Sequence, residues 1–256
     1  MSPRRIVVAA GLLAVAICGP AAVLIAAPGA PAPMGLGGDE EFRLAGDGTL
    51  PQERPALREH GAPLSSAERG YAIRLALQTL PDSARDVLDA PGGEVLAADL
   101  PGGRDPDDGR RLVQVSLYDY RADRLQQVLV DLTADRVTED RTVSGLQLPP
   151  SAAETEVAFD LALKAWPALP FLHEFLTSTD APLLTMEQVH VVAGAWLPGG
   201  DVGDAQLVDA TGCGPDRCLQ LLVALPSGHY LDTGDFVVDL STRTVLDLAD
   251  GGTHGP

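Results

Sequence analysis

The chain has no asparagine and one lysine, Lys164, and aromatic residues make up 4% of its 256 positions. The skew toward arginine, alanine and glycine is a compositional bias that carries no function of its own. Positive charge is scarce: 18 lysines and arginines stand against 36 acids, for a net charge of −18. Such a surface repels phosphate backbones and anionic headgroups, which excludes nucleic acid as an expected partner. With two tryptophans in all, Trp166 and Trp196 are the aromatic anchors, and both are expected in the core.

The residues that carry most metal and acid–base chemistry are few and scattered. His60, His173, His190, His229 and His254 include no pair at metal-ligand spacing. Glu187 stands three residues before His190, but a second copy is missing and the context reads as strand. Asp105, Asp107 and Asp108 before Gly109 resemble the start of a calcium loop, yet the twelfth position is Ser116, where a bidentate glutamate is needed. Ser227 near His229 lacks the strand–turn–helix setting of a serine nucleophile. The expectation is therefore no catalytic residue, no metal ligand and no cofactor.

Of three cysteines, Cys213 and Cys218 occupy Gly-Cys-Gly-Pro-Asp-Arg-Cys. Four residues between them, including Gly-Pro, suit a disulfide across a tight loop. A redox pair usually has two intervening residues, and a metal site needs further ligands. The third cysteine, Cys18, follows Ile17, where lipidation requires a small residue.

Arg4 and Arg5 precede an apolar run over residues 6–27, followed by Pro-Ala-Gly residues up to position 33. A positive start, an apolar middle and small residues are what export machinery reads. The paired arginines resemble a twin-arginine signal, loosely. Residues 1–33 are expected to be a signal peptide or an uncleaved membrane anchor. Residues 34–63, acidic and proline-containing, are expected to form a flexible linker.

Order is expected from Ser65, which forms a capping box with Glu68. Ala72, Leu75, Ala76 and Leu80 then share one helical face, and Pro81 ends the helix. Strands are expected near 94–100, over 113–118, over 128–132 and from 137. The pattern then restarts. Ser151 and Glu154 repeat the capping box, and Ala158, Leu161 and Ala162 repeat the helix face. Strand candidates follow at 189–196, 218–225, 236–240 and 244–248. The decade 128–137, Val-Leu-Val-Asp-Leu-Thr-Ala-Asp-Arg-Val, returns at 236–245 as Phe-Val-Val-Asp-Leu-Ser-Thr-Arg-Thr-Val. Shared order of cap, helix face and hairpin indicates duplication, the second copy having extra residues between 171 and 218. The expected class is α+β: two tandem units, 64–148 and 149–250, each one helix on a roughly four-stranded antiparallel sheet, with a tail at 251–256.

The run from Pro63-Leu64-Ser65-Ser66-Ala67-Glu68 through Val130-Asp131-Leu132 to Gly145-Leu146-Gln147-Leu148-Pro149-Pro150 resembles the two small N-terminal domains of copper amine oxidases. The resemblance covers roughly residues 62–250 and implies the same α+β units. It carries over no catalytic residue. The family's quinone tyrosine lies in Asn-Tyr-Asp/Glu and its copper site uses His-x-His, whereas Tyr118-Asp119-Tyr120 lacks the asparagine and no His-x-His occurs. The whole resembles an exported actinobacterial envelope protein. Non-catalytic binding to another envelope protein or a small ligand is the first functional expectation. An accessory subunit of an extracytoplasmic amine oxidase is the second, and a partnerless structural filler the third.

Overall fold

The computed structural model describes residues 49–102, 109–165, 168–197, 212–248 and 253–254. The leader, Cys18, the aspartates 105, 107 and 108 and Trp166 lie outside the described residues. Among the described residues no helix is long and apolar enough to cross a membrane.

The first helix, α1, spans Ser66–Leu77 and starts where the capping box places it: Ser65 Oγ accepts from the Glu68 amide while Glu68 accepts from the Ser65 amide. Tyr71, Ala72, Ile73 and Ala76 face the core, while Leu75 is half-buried. Behind α1 lies an antiparallel meander of β1 (Glu94–Asp99), β2 (Leu112–Asp119), β3 (Arg124–Asp131) and β4 (Arg136–Val143). Val113 pairs with Val130 and Val115 with Val128, all fully buried. The alternate side chains of β2 are also mostly covered: Ser116 and Tyr118 are buried.

The described end of the acidic stretch is tied down, in place of the flexible linker that composition suggests. Arg74 Nε donates to the Pro51 carbonyl at 2.9 Å and Arg54 Nη1 to that of Thr133 at 3.0 Å. Pro51 also sits so close to Gly70 that a Cβ there would meet its Cδ at 2.9 Å. The donors lie on α1 and in the stretch itself, so composition of the stretch alone could not reveal the docking.

The second half begins with α2 (Ala152–Ala162), which carries the repeated capping box. An added helix, α3 (Leu169–Thr179), then supplies Phe171 and Phe175 to the same core as Phe159 of α2. The second sheet orders β5 (His190–Ala195), β6 (Cys218–Ala224), β7 (Phe236–Asp239), β8 (Thr244–Asp247) and β9 (Thr253–His254), all antiparallel. The class is α+β, each sheet backed by a helix. Beyond the expected plan the second half adds α3, and a short β9 joins its sheet at the tail.

Duplication reaches individual hydrogen bonds. The amide of Leu132 donates to the Arg111 carbonyl at 2.8 Å and that of Leu240 to Arg217 at 2.9 Å. The Arg111 amide donates to Thr133 Oγ1, and the Arg217 amide to Ser241 Oγ, both at 2.9 Å. In each Val-Asp-Leu turn the aspartate accepts from the amides two and three residues on, Asp131 from Thr133 and Ala134, Asp239 from Ser241 and Thr242.

Candidate functional site at the junction of the halves

The capping glutamates do more than cap. Glu68 is fully buried and meets Arg111, 3% exposed, through Nε at 3.0 Å and Nη2 at 3.3 Å. Glu154 is likewise fully buried and meets Arg217, 1% exposed, through Nε at 3.0 Å and Nη2 at 2.8 Å. Each arginine precedes the second strand of its sheet and anchors the segment before its helix. Arg111 Nη1 donates to the Ala62 carbonyl at 2.7 Å, and Arg217 Nη1 to that of Leu148 at 2.7 Å. A buried charge pair with its remaining donors satisfied holds its geometry and tolerates no missing member.

Among the described residues, only the second pair is reached by the other half. Tyr120, at the end of β2, donates its hydroxyl to Glu154 Oε1 at 2.6 Å. Tyr118 packs on Tyr120 with ring centroids 4.9 Å apart and donates to Asp123 Oδ1 at 2.7 Å. Asp123 in turn accepts from Ser241 Oγ of the second half at 2.5 Å. Gln147, in the segment joining the halves, donates to the carbonyls of Gly214 and Asp216 and accepts from Arg217 Nη1. Arg243 Nη2 reaches back to the Val87 carbonyl.

The electrostatics follow from this crowding. Burial would raise the Glu68 carboxyl, but the Arg111 guanidinium and the amides of Ser65 and Arg58 outweigh it and bring it to about 2. Asp216 moves the other way, pushed to about 6 by burial and by the nearby charges of Asp239 and Asp123. Burial, with Glu154 and Asp86 near, raises the Glu94 carboxyl as well. Burial raises both the Tyr118 and Tyr120 hydroxyls, which also face carboxylates, so both remain protonated donors.

A cleft of about 480 Å³ opens beside this junction. One wall is the loop after α1, with Arg85, Asp86 and Asp89; the β2–β3 turn adds Tyr120 and Arg121; the β7–β8 turn adds Ser241 and Arg243. Its volume falls within the range of small-molecule clefts, and its lining is mostly polar.

No family model matches the chain, and no curated protein matches it. Among solved structures it is similar to a copper-containing benzylamine oxidase from Hansenula polymorpha, with 13% identity and a TM-score of 0.43. The match covers 77% of this chain and 30% of that one.

Of the cysteines singled out in the sequence, Cys213 and Cys218 are joined, with Cα atoms 5.6 Å apart, and both are fully buried. Trp196 and Leu248 pack against the bridge. His60, His173 and His190 are exposed. His229 Nε2 lies 3.0 Å from Glu174 Oε1 on the surface, so Glu174 rather than Ser227 is its partner. Among the described residues no group of three histidine, cysteine or acidic side chains is arranged to hold a metal. Sequence reasoning missed Arg111, Arg217 and the cleft. A signal existed for the arginines: aligning the two copies puts one immediately before each second strand.

Proposed function

We propose that this is an exported, non-catalytic interaction module whose second sheet accepts an extended segment of another envelope protein along β5. The observation that carries the reading is the contrast between two sheet edges. Edge strand β4 is studded with Arg136, Glu139, Asp140 and Arg141, the kind of charge that blocks edge-to-edge pairing. Edge strand β5 reads His-Val-Val-Ala-Gly-Ala, bears no carboxylate, lysine or arginine, and among the described residues pairs with β6 alone. Its Val192 is 63% exposed and stands opposite Leu222, 48% exposed, with Tyr230, 60% exposed, on the segment bridged to the far end of β6. Unpaired backbone groups beside an apolar strip suit strand addition, with alternate side chains read by the strip. The chain's net charge of −18 favours a partner segment with basic flanks.

Export is supported by the positive-then-apolar leader over residues 1–33 and by the Cys213–Cys218 bridge, which belongs to an oxidising compartment. Absence of catalysis is supported by the use of the buried glutamates: Glu68 and Glu154 are both held by arginines and helix-cap amides.

The test is crosslinking of the tagged full-length chain in its own envelope, compared with V192K and L222K. The reading requires one enriched protein that both variants lose and that R136E, on the charged edge, retains. Enrichment equal in all variants, or none at all, overturns it.

A further inference from the structure

Three arginines converge on the junction cleft of a protein that is otherwise strongly acidic. Arg85, Arg121 and Arg243 line it, against Asp86 and Asp89. Asp86 Oδ1 accepts from the amides of Leu88 and Ala90, and among the described residues neither Asp86 nor Asp89 forms an ion pair with these arginines. Arg85 uses Nη1 on the carbonyls of Asp82 and Ala84, and Arg243 uses Nη2 on that of Val87. Those bonds go to backbone oxygens and so leave three guanidinium charges against two carboxylates in the lining. Guanidiniums held in place by carbonyls, with nitrogens to spare, are preorganised for an oxyanion.

The internal duplication shows that this arrangement is particular to the second half. Arg243 occupies the left-handed position of its turn, with φ of +57°, a conformation that disfavours arginine. The same position in the first half is Asp135, φ +55°, which accepts a hydrogen bond from Tyr71 within its own half. The second copy thus carries a cation where the first carries an acid, in a backbone conformation the acid tolerates better. It uses that cation to cross to the other half. Local strain of this kind persists where the surroundings require it.

We infer that the cleft binds a small organic oxyanion, a carboxylate or a phosphate or sulfate ester, between Arg85, Arg121 and Arg243. The anionic group meets the guanidiniums, and the organic body lies against Leu88, Leu240 and the edge of Tyr120. None of the lining residues belongs to β5 or β6, so this site is independent of strand addition. Because the ligand touches both halves, binding clamps them together and raises the melting temperature.

The test is calorimetric titration of the full chain at low ionic strength with inorganic phosphate, sulfate and citrate. The expected result is saturable 1:1 binding of at least one anion, weakened about tenfold by R243A and by R121E. Arg121 sits at the exposed rim, so R121E leaves the junction bonds intact if R243A loosens them. R136E makes the same charge change on the distant β4 edge and leaves affinity within about twofold. Preference for phosphate and sulfate assigns a tetrahedral ester, and preference for citrate a carboxylate. The inference is overturned if none of the three binds saturably up to about 20 mM, an affinity weaker than specific small-ligand sites need. Equal weakening by R136E and R121E also overturns it, since that would mean diffuse charge attraction.

Discussion

Tyr120 Oη lies 2.6 Å from Glu154 Oε1, so a residue of the first half completes the buried ion pair of the second. In the equivalent pair, Glu68 with Arg111, the same carboxylate oxygen accepts instead from the Arg58 amide of its own half at 2.9 Å. Duplication therefore produced two like ion pairs, and the junction drew one of them into holding the halves together. Y120F removes the donor while keeping the ring against Tyr118. The expected loss is about 1–2 kcal/mol in urea unfolding, with the Y71F change at the surface-facing Asp135 bond costing less. Equal losses for the two would show that the junction bond has no special weight.

Each buried pair is expected to behave as a unit. R217A leaves Glu154 buried and without its guanidinium, at a cost of about 3–5 kcal/mol. The double change R217M with E154L removes both charges and recovers most of this. It does not recover all, because Glu154 also accepts from the Ser151 amide at 2.9 Å and its loss uncaps α2. R111A and E68L with R111M should follow the same pattern. A double variant less stable than the single one would contradict this account.

The disulfide encloses the second pair's arginine. Arg217 lies within the loop closed by Cys213 and Cys218, and its Nη1 and the loop carbonyls are gripped by Gln147. C213S with C218S is expected to cost about 2 kcal/mol by chain entropy of so short a loop. The loss should fall below additivity when combined with R217A, since the bridge and the ion pair then position the same segment. Thermal unfolding with and without reductant provides the measurement, and strict additivity would separate the two devices.

Sequence carried the skeleton of the fold because its signals are local. Ser65 with Glu68 and Ser151 with Glu154 spell capping boxes, and Val-Asp-Leu before a polar turn marks both hairpins. The bridge was legible from the spacing of Cys213 and Cys218. What escaped depends on pairs far apart in the chain. Glu68 and Arg111 are 43 positions apart, and Tyr120 and Glu154 are 34 apart, so no window contains both partners. The helix α3 escaped for another reason. Most of it falls in the extra residues of the second copy, where the first half offers no counterpart, although Phe171 and Phe175 at a spacing of four mark its buried face. The cleft depends on turns brought together by packing, and composition pointed the other way, to an acidic surface.

The pH dependence of stability should have two limbs with different owners. Asp216 has its folded-state value raised from 3.8 to about 6, so its protonated form favours the fold. That contribution is full below the unfolded value of 3.8 and is lost as pH rises through about 6. Burial raises Asp239 and Glu94 too, adding to the same limb. Glu68 is lowered from 4.5 to about 2, so its contribution is full above 4.5 and lost as pH falls toward 2. Stability should therefore peak between these windows, in mildly acidic solution, and decline toward neutral pH by about 1 kcal/mol once solvent screening at half-exposed Asp216 is included. D216N keeps a hydrogen-bonding side chain beside Asp123 and should flatten the neutral limb while leaving the acid limb unchanged. E68Q should do the reverse, at a large overall cost. Urea midpoints across the pH range distinguish the two. A wild-type profile with no fall toward neutral pH, or a D216N profile identical to it, would remove Asp216 from the junction's electrostatics.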